Sequence, residues 1–265
     1  MARKYRTNKQ NETGDGTVRL NKYLSDAGIC SRRQADAYID EGKVTVDGTI
    51  AKAGTKIHPT NVVCFMGKPI KPVKECILLL VNKPRGIVCT TKGQKNNIVD
   101  FLNYKERIYP VGRLDVASEG LLLMTNDGDL MNEILRARNF HEKEYIVTVN
   151  KKIEDSFIKS MRQGIFLPEL NVTTRPCKVK KIEADTFSII LTQGLNRQIR
   201  RMCEALDYKV VRLKRIRIMN LKLGNLKRGQ SRKATEGEME KLYSLIEQSK
   251  GEAEHGTKTE NEGIN

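Results

Sequence analysis

Asp115 has the setting of a chemical group. It stands in VGRLDVASEG (111–120), a glycine-flanked stretch just ahead of the apolar run LLLMT and of NDGD (126–129). A carboxylate in a turn that leads into a buried strand is held by a rigid element yet presented at a cleft, as catalysis requires. By spacing alone, a single aspartate in a loop is more often a cap or turn residue. No second carboxylate is marked out to face Asp115 across a bond, as a glycosidase needs. Asp127 and Asp129 suit turn and helix-start positions, and Asp100 in NNIVDF suits a helix turn. Tyr145, in HEKEYIVTV, reads on its own as a tyrosine packed in a strand.

The second chemical signal is charge. The 265 residues carry 48 Lys and Arg against 32 Asp and Glu, a net +16, with 38% apolar content. The excess is concentrated: 192–233 holds thirteen basic residues and two acidic ones. Such a block is a field for a polyanion, and nucleic acid is the first candidate. The longest apolar run, 76–81, is far short of the roughly 20 residues of a membrane-spanning helix, and no apolar stretch follows the basic start. A cytoplasmic protein is expected. Six cysteines without a CxxC pair and three histidines without ligand spacing predict reduced thiols, no disulfide and no metal. His141 is expected at the surface.

These groups need elements to position them. Residues 1–17 and 249–265 read as disordered tails, since both are polar and without periodicity. In 18–72, Ser31 and Gln34 form a capping-box pattern, predicting a helix over 32–41 that stops at Gly42. Asp47-Gly48 between alternating runs predicts a hairpin. The Lys- and Pro-rich 66–75 reads as linker, with the boundary itself at 73–76. Beyond it, 77–248 mixes strand-like runs (77–81, 121–125, 145–149, 187–191) with helical patterns (127–137, 154–163, 196–206), an α+β layout with a substantial sheet. In 196–206 the apolar stripe Ile199, Met202, Cys203 and Leu206 leaves Arg197, Arg200 and Arg201 projecting elsewhere. Around 209–223 the alternation shifts between Leu213 and Ile216 and between Ile218 and Leu221, predicting bulges or bends.

Arg32 and Arg33 lie in the first turn of the capped helix, where cations oppose the helix dipole and invite an external anion. Lys22 and Lys43 flank them. RLNKYLSDAGICSRRQADAYIDEGKVTVDG resembles the S4 RNA-binding module, which implies that Lys22, Arg32, Arg33 and Lys43 face structured RNA. Behind it, LLLVNKPRGIVCTT, VGRLDVASEGLLLMTNDGDL, HEKEYIVTV and QGLNRQIRRMCEALDYKVVRLKRIRI follow in order. Together they resemble the family of RNA pseudouridine synthases that modify ribosomal RNA, with similarity from about Val18 to Leu245.

The resemblance implies a mixed, mainly antiparallel sheet with flanking helices and a uridine-to-pseudouridine isomerisation. The N1–C1′ bond breaks, the base turns, and C5 joins C1′. No atoms are gained, so no cofactor is required. By resemblance Asp115 is the essential carboxylate, as nucleophile at C1′ or base at C2′. Arg197 matches the arginine that pairs with it, and Tyr145 matches the aromatic against the target base. Arg113 matches the side chain that fills the space left by the flipped nucleotide. Arg200, Arg201, Arg212, Arg215 and Arg217 are expected to contact phosphates, and Lys83, Pro84 and Gly86 to be structural. The segments NNIVDF, FHEKEY and GLNRQIRRMCE favour the branch acting on large-subunit (23S) rRNA. Transfer RNA or small-subunit rRNA is the alternative, as is a non-catalytic S4-type binding or ribosome-assembly protein. A tRNA-charging enzyme is disfavoured, because no Gly-rich phosphate motif is found. A monomer is expected.

Overall fold

A computed structural model describes residues 16–72, 75–90, 94–136 and 139–261. Most of the expected N-terminal tail, 1–15, lies outside the described residues, as do 262–265. The chain divides into two compact units, the second beginning at Leu78, with 105–108 and 125–129 grouped with the first.

In the first unit β1 (Val18–Arg19) runs into α1 (Leu20–Asp26), and α2 (Arg32–Asp40) follows. The α2 start is the capping box expected: Ser31 Oγ accepts the Gln34 N–H, and the Gln34 side chain accepts the Ser31 N–H. A four-stranded sheet has the order β3-β2-β5-β6, from β2 (Val44–Val46), β3 (Thr49–Ile50), β5 (Val63–Phe65) and β6 (Lys68–Pro69). β4 (Lys56–Ile57) pairs with β1. Asp47 and Gly48, both at positive φ, turn the β2–β3 hairpin. Leu20, Leu24, Ala35, Ile39, Val44, Ile57 and Val63 form the core.

One expectation is corrected here. The stretch from Met66 is not linker, because Met66 and Gly67, at φ 50° and 76°, turn β5 back into β6. The lysines hid a two-residue hairpin, and Pro69 is tolerated because β6 is an edge strand that owes no further N–H.

The second unit is built on a nine-stranded sheet. Its strands are β7 (Leu78–Lys83), β8 (Tyr109–Pro110), β9 (Glu119–Thr125), β10 (Lys143–Val149), β13 (Lys178–Lys181), β14 (Thr186–Leu191), β15 (Val210–Ile218), β16 (Leu221–Lys222) and β17 (Ser231–Lys233). The main path runs β13-β14-β10-β15-β9-β7-β17, with β8 on β9 and β16 on β15. β9 and β15 are parallel, whereas β10 pairs antiparallel with both β14 and β15, so the sheet is mixed. A small β11–β12 ribbon (Phe166–Leu167, Val172–Thr173) stands apart. The helices are α3 (Ile98–Leu102), α4 (Gly128–Leu135), α5 (Asp155–Gln163), α6 (Gln198–Glu204) and α7 (Glu236–Asn261). α5 and α6 pack on β10 and β14 through Phe157, Met161, Ile199, Met202, Val147, Phe187 and Ile189.

Ile216 is the extra residue of a bulge, since Glu144 pairs with Arg217 and Tyr145 with Arg215, as the broken alternation predicts. A second bulge falls at Val211, and the expected break after Ile218 is a tight turn at Met219 (φ 50°) into β16. The C-terminal stretch expected as tail from 249 continues α7 instead. His141, expected at the surface, explains part of this: it is buried, its Nδ1 lies 3.1 Å from the Ile134 carbonyl, and its Nε2 lies 3.0 Å from Ser249 Oγ.

Candidate active site

The loop carrying Asp115 is tied on every side. The Val111 N–H donates to Leu123 O at 2.8 Å, anchoring the loop's start to β9. The Ser118 N–H returns to Asp115 O at 3.0 Å, and the Gly86 N–H reaches Val116 O at 2.8 Å. Lys83, fully buried, donates to Ser118 O at 3.0 Å and Pro84 O at 2.8 Å. Burial pushes its pKa below the usual lysine value. The NKPRG segment is thus a clasp behind the loop, and Asp115 is presented half-exposed on a fixed backbone.

Arg200, from α6, meets Asp115: its Nε lies 3.8 Å from Asp115 Oδ2. Its Nη2 reaches Ser118 Oγ at 3.3 Å and Ala117 O at 3.5 Å, and Nη1 reaches Val210 O at 3.3 Å. Only 8% of the residue is exposed. Burial lowers its pKa from the ordinary arginine value, and the Asp115 charge works against that shift.

This corrects the assignment of the pairing role to Arg197. Arg197 is exposed, sits ahead of α6 in the left-handed region (φ 51°), and has no ion pair with Asp115. α6 begins only at Gln198, whose side chain accepts the Leu195 N–H, so Arg197 falls outside the helix and Arg200 one turn in. The correction also removes Arg200 from the phosphate-contacting set.

Tyr145 lies on β10 directly opposite Arg215 on β15. Asp115, Tyr145, Arg200, Arg215, Arg197 and Lys143 all line one cavity of about 290 Å³. The Arg215 guanidinium is 6.0 Å from the Tyr145 ring centroid. Lys143 is held mostly out of water, and burial together with the Arg215 charge pushes its pKa down to about 8. Gly120 lets β9 approach this strand, because a Cβ there would stand 2.2 Å from Arg215 O and its φ is +102°. The arrangement is a single carboxylate amid cations, beside an aromatic ring.

The chain is similar to known proteins along most of its length. The "S4 domain" family model covers residues 18–63 and "RNA pseudouridylate synthase" covers 77–205. A dual-specificity RNA pseudouridine synthase RluF from Escherichia coli O157:H7 is 50% identical over 90% of this chain and 83% of that protein. Ribosomal large subunit pseudouridine synthase B of Bacillus subtilis is 33% identical over 88% of this chain and 98% of its own. The chain belongs to the RNA pseudouridine synthase family. A pseudouridylate synthase crystal structure, 30% identical, superposes with a TM-score of 0.64 over 84% of this chain and 99% of that one.

In this synthase the other expected RNA contacts divide sharply. Arg113 is exposed at the cavity, and Arg32 and Arg33 are exposed on the first turn of α2. Lys22 is engaged instead, 2.6 Å from Asp26 and 3.1 Å from Asp129, and Lys43 pairs with Glu41 at 2.5 Å. Arg217 is clamped by Glu144 at 2.7 Å and Glu142 at 2.9 Å, and it holds Glu142 below the usual carboxylate range against the opposing effect of burial. Arg201 pairs with Glu169. Arg215 is 4% exposed, which corrects its expected phosphate contact. Arg212 pairs with the buried Glu119 at 2.6 Å, and Arg228 approaches the same carboxylate at 3.7 Å. Burial raises the Glu119 pKa, but these arginines and Arg85 together outweigh it and hold the group ionised. Sequence reasoning passed over Glu119, Lys143, Arg85 and Arg228. Only the overall density of arginines between 192 and 233 hinted at partners for a buried carboxylate.

Proposed function

We propose that this synthase converts a specific uridine of large-subunit (23S) ribosomal RNA to pseudouridine, with Asp115 as the reacting carboxylate and no cofactor. The observation that carries the reading is the Asp115–Arg200 pair at the cavity that Tyr145 also lines. The guanidinium sets a counter-charge 3.8 Å from the carboxylate that either route uses: attack at C1′ or proton removal at C2′. In this reading Tyr145 lies against the base. Arg113 takes the space left when the uridine turns out of the RNA, and Arg32 and Arg33 hold neighbouring RNA.

The large-subunit target is supported by the names of the Bacillus subtilis relative and by the branch-like segments NNIVDF and GLNRQIRRMCE. The Escherichia coli relative is described as dual-specificity, which favours a second RNA substrate as well. An rRNA substrate is consistent with a cytoplasmic protein, acting here as a monomer. Mapping pseudouridine across total RNA from cells with and without the gene tests the target. Loss of a large-subunit site is expected. Loss of a small-subunit site with every large-subunit site kept would overturn the choice.

A further inference from the structure

Arg215 is held at the cavity with part of its guanidinium unsatisfied. Its Nε donates to Leu121 O at 2.7 Å, which fixes the guanidinium from the β9 side. Its Nη2 is buried and has no hydrogen-bond partner among the described residues. The residue is 4% exposed, lines the cavity with Asp115 and Tyr145, and stands 6.0 Å from the Tyr145 ring. A buried guanidinium N–H without an acceptor costs on the order of 1–3 kcal/mol, so its retention calls for an acceptor that arrives with the substrate.

We infer that the unpaired Arg215 N–H is the donor that reads a carbonyl oxygen of the target uracil and strengthens its hold as the base departs. The inference rests on the proposed function and deepens it. Arginine is donor-only, so it donates to a pyrimidine carbonyl and rejects an exocyclic amino group at the same place. When the N1–C1′ bond breaks, the base leaves with the bonding pair, and that charge spreads from N1 onto the carbonyl oxygens. A fixed donor that is itself buried gains most at that moment. The neighbours fit an anionic base: Lys143 faces the same cavity on β10, and Arg200 lies across it, with Asp115 the single carboxylate among the lining residues. Arg217, two residues on, is not equivalent, because the bulge at Ile216 turns it away to Glu142 and Glu144.

The test uses the full-length protein at saturating concentration in single-turnover assays on one RNA fragment, carrying uridine, 2-thiouridine or 4-thiouridine at the target position. Sulfur is the weaker acceptor, so the wild-type protein should turn over one of the two thio substrates about tenfold more slowly than uridine. The slow analogue identifies the carbonyl. In Arg215→Gln and Arg215→Lys, uridine turnover should fall by about a hundredfold with RNA Kd changed less than threefold, and the penalty for that thio analogue should vanish. A structural role would lower turnover on all three RNAs by one factor, and additive losses of that kind overturn the inference. If neither variant folds, the wild-type comparison still decides, since equal rates on all three RNAs refute it. No turnover of uridine by the wild-type protein, on any ribosomal fragment, would instead refute the proposed function.

Discussion

Arg200 Nε stands 3.8 Å from Asp115 Oδ2 while the rest of its guanidinium is occupied by Ser118, Ala117 and Val210. One side chain therefore faces the carboxylate with its charge and holds the loop that carries it. Arg200→Ala should lower kcat by about two to three orders of magnitude, since it removes the counter-charge and loosens the loop together. Arg200→Lys should recover little, because an ammonium has no fork to span these acceptors. Single-turnover rates with RNA Kd values check this; a lysine variant at the parent rate would argue against the positioning role.

Arg197→Ala separates the two arginines of NRQIR. Exposed and outside α6, Arg197 should matter for RNA affinity, with Kd raised about threefold to tenfold and turnover at saturation nearly unchanged. A turnover loss matching that of Arg200→Ala would restore the pairing role to Arg197.

Gly120→Ala places a methyl 2.2 Å from Arg215 O at a φ of +102°. Backbone faces backbone there, so neither strand yields by rotating a side chain. The expected cost is about 3 kcal/mol or more, seen as a large drop in Tm or loss of soluble protein. A variant with unchanged Tm would mean that β9 and β15 do not approach each other this closely.

Lys143 supplies a pH test. Burial first, and then the Arg215 charge, lower its pKa to about 8 from an ordinary 10.5. Between those values the unfolded chain holds a proton that the folded protein lacks, so folding stability from this residue rises with pH across that window. Below pH 8 the folded protein carries the full penalty of a confined charge. Lys143→Met should therefore raise Tm at pH 7, and its advantage should shrink as pH goes from 8 toward 10.5. An advantage independent of pH would show that the lysine is not confined.

Local grammar was readable in advance: the Ser31–Gln34 box, the Asp47-Gly48 turn and the broken alternation before Ile216 each depend on neighbours in sequence. What was hidden depends on partners far along the chain. Arg197 and Arg200 are both arginines beside an apolar stripe, and only the packing of α6 beneath the 111–118 loop decides which one meets Asp115. Arg215 sits in a basic run that looks like surface, yet its register against Tyr145 turns it inward and leaves Arg217 to the glutamates. Met66-Gly67 was masked by surrounding lysines and prolines, although its turn chemistry is as local as that of Asp47-Gly48.

In the proposed function, the Asp115 carboxylate drives the isomerisation of uridine in ribosomal RNA. Asp115→Asn keeps the size and the loop hydrogen bonds but removes the charge that Arg200 faces. Purified parent and variant proteins would be incubated with ribosomal RNA lacking the modification, and pseudouridine counted at the mapped site. The expected result for this role of Asp115 is conversion by the parent, none above background by Asp115→Asn, and RNA binding by both. Conversion by Asp115→Asn at the parent rate would contradict it.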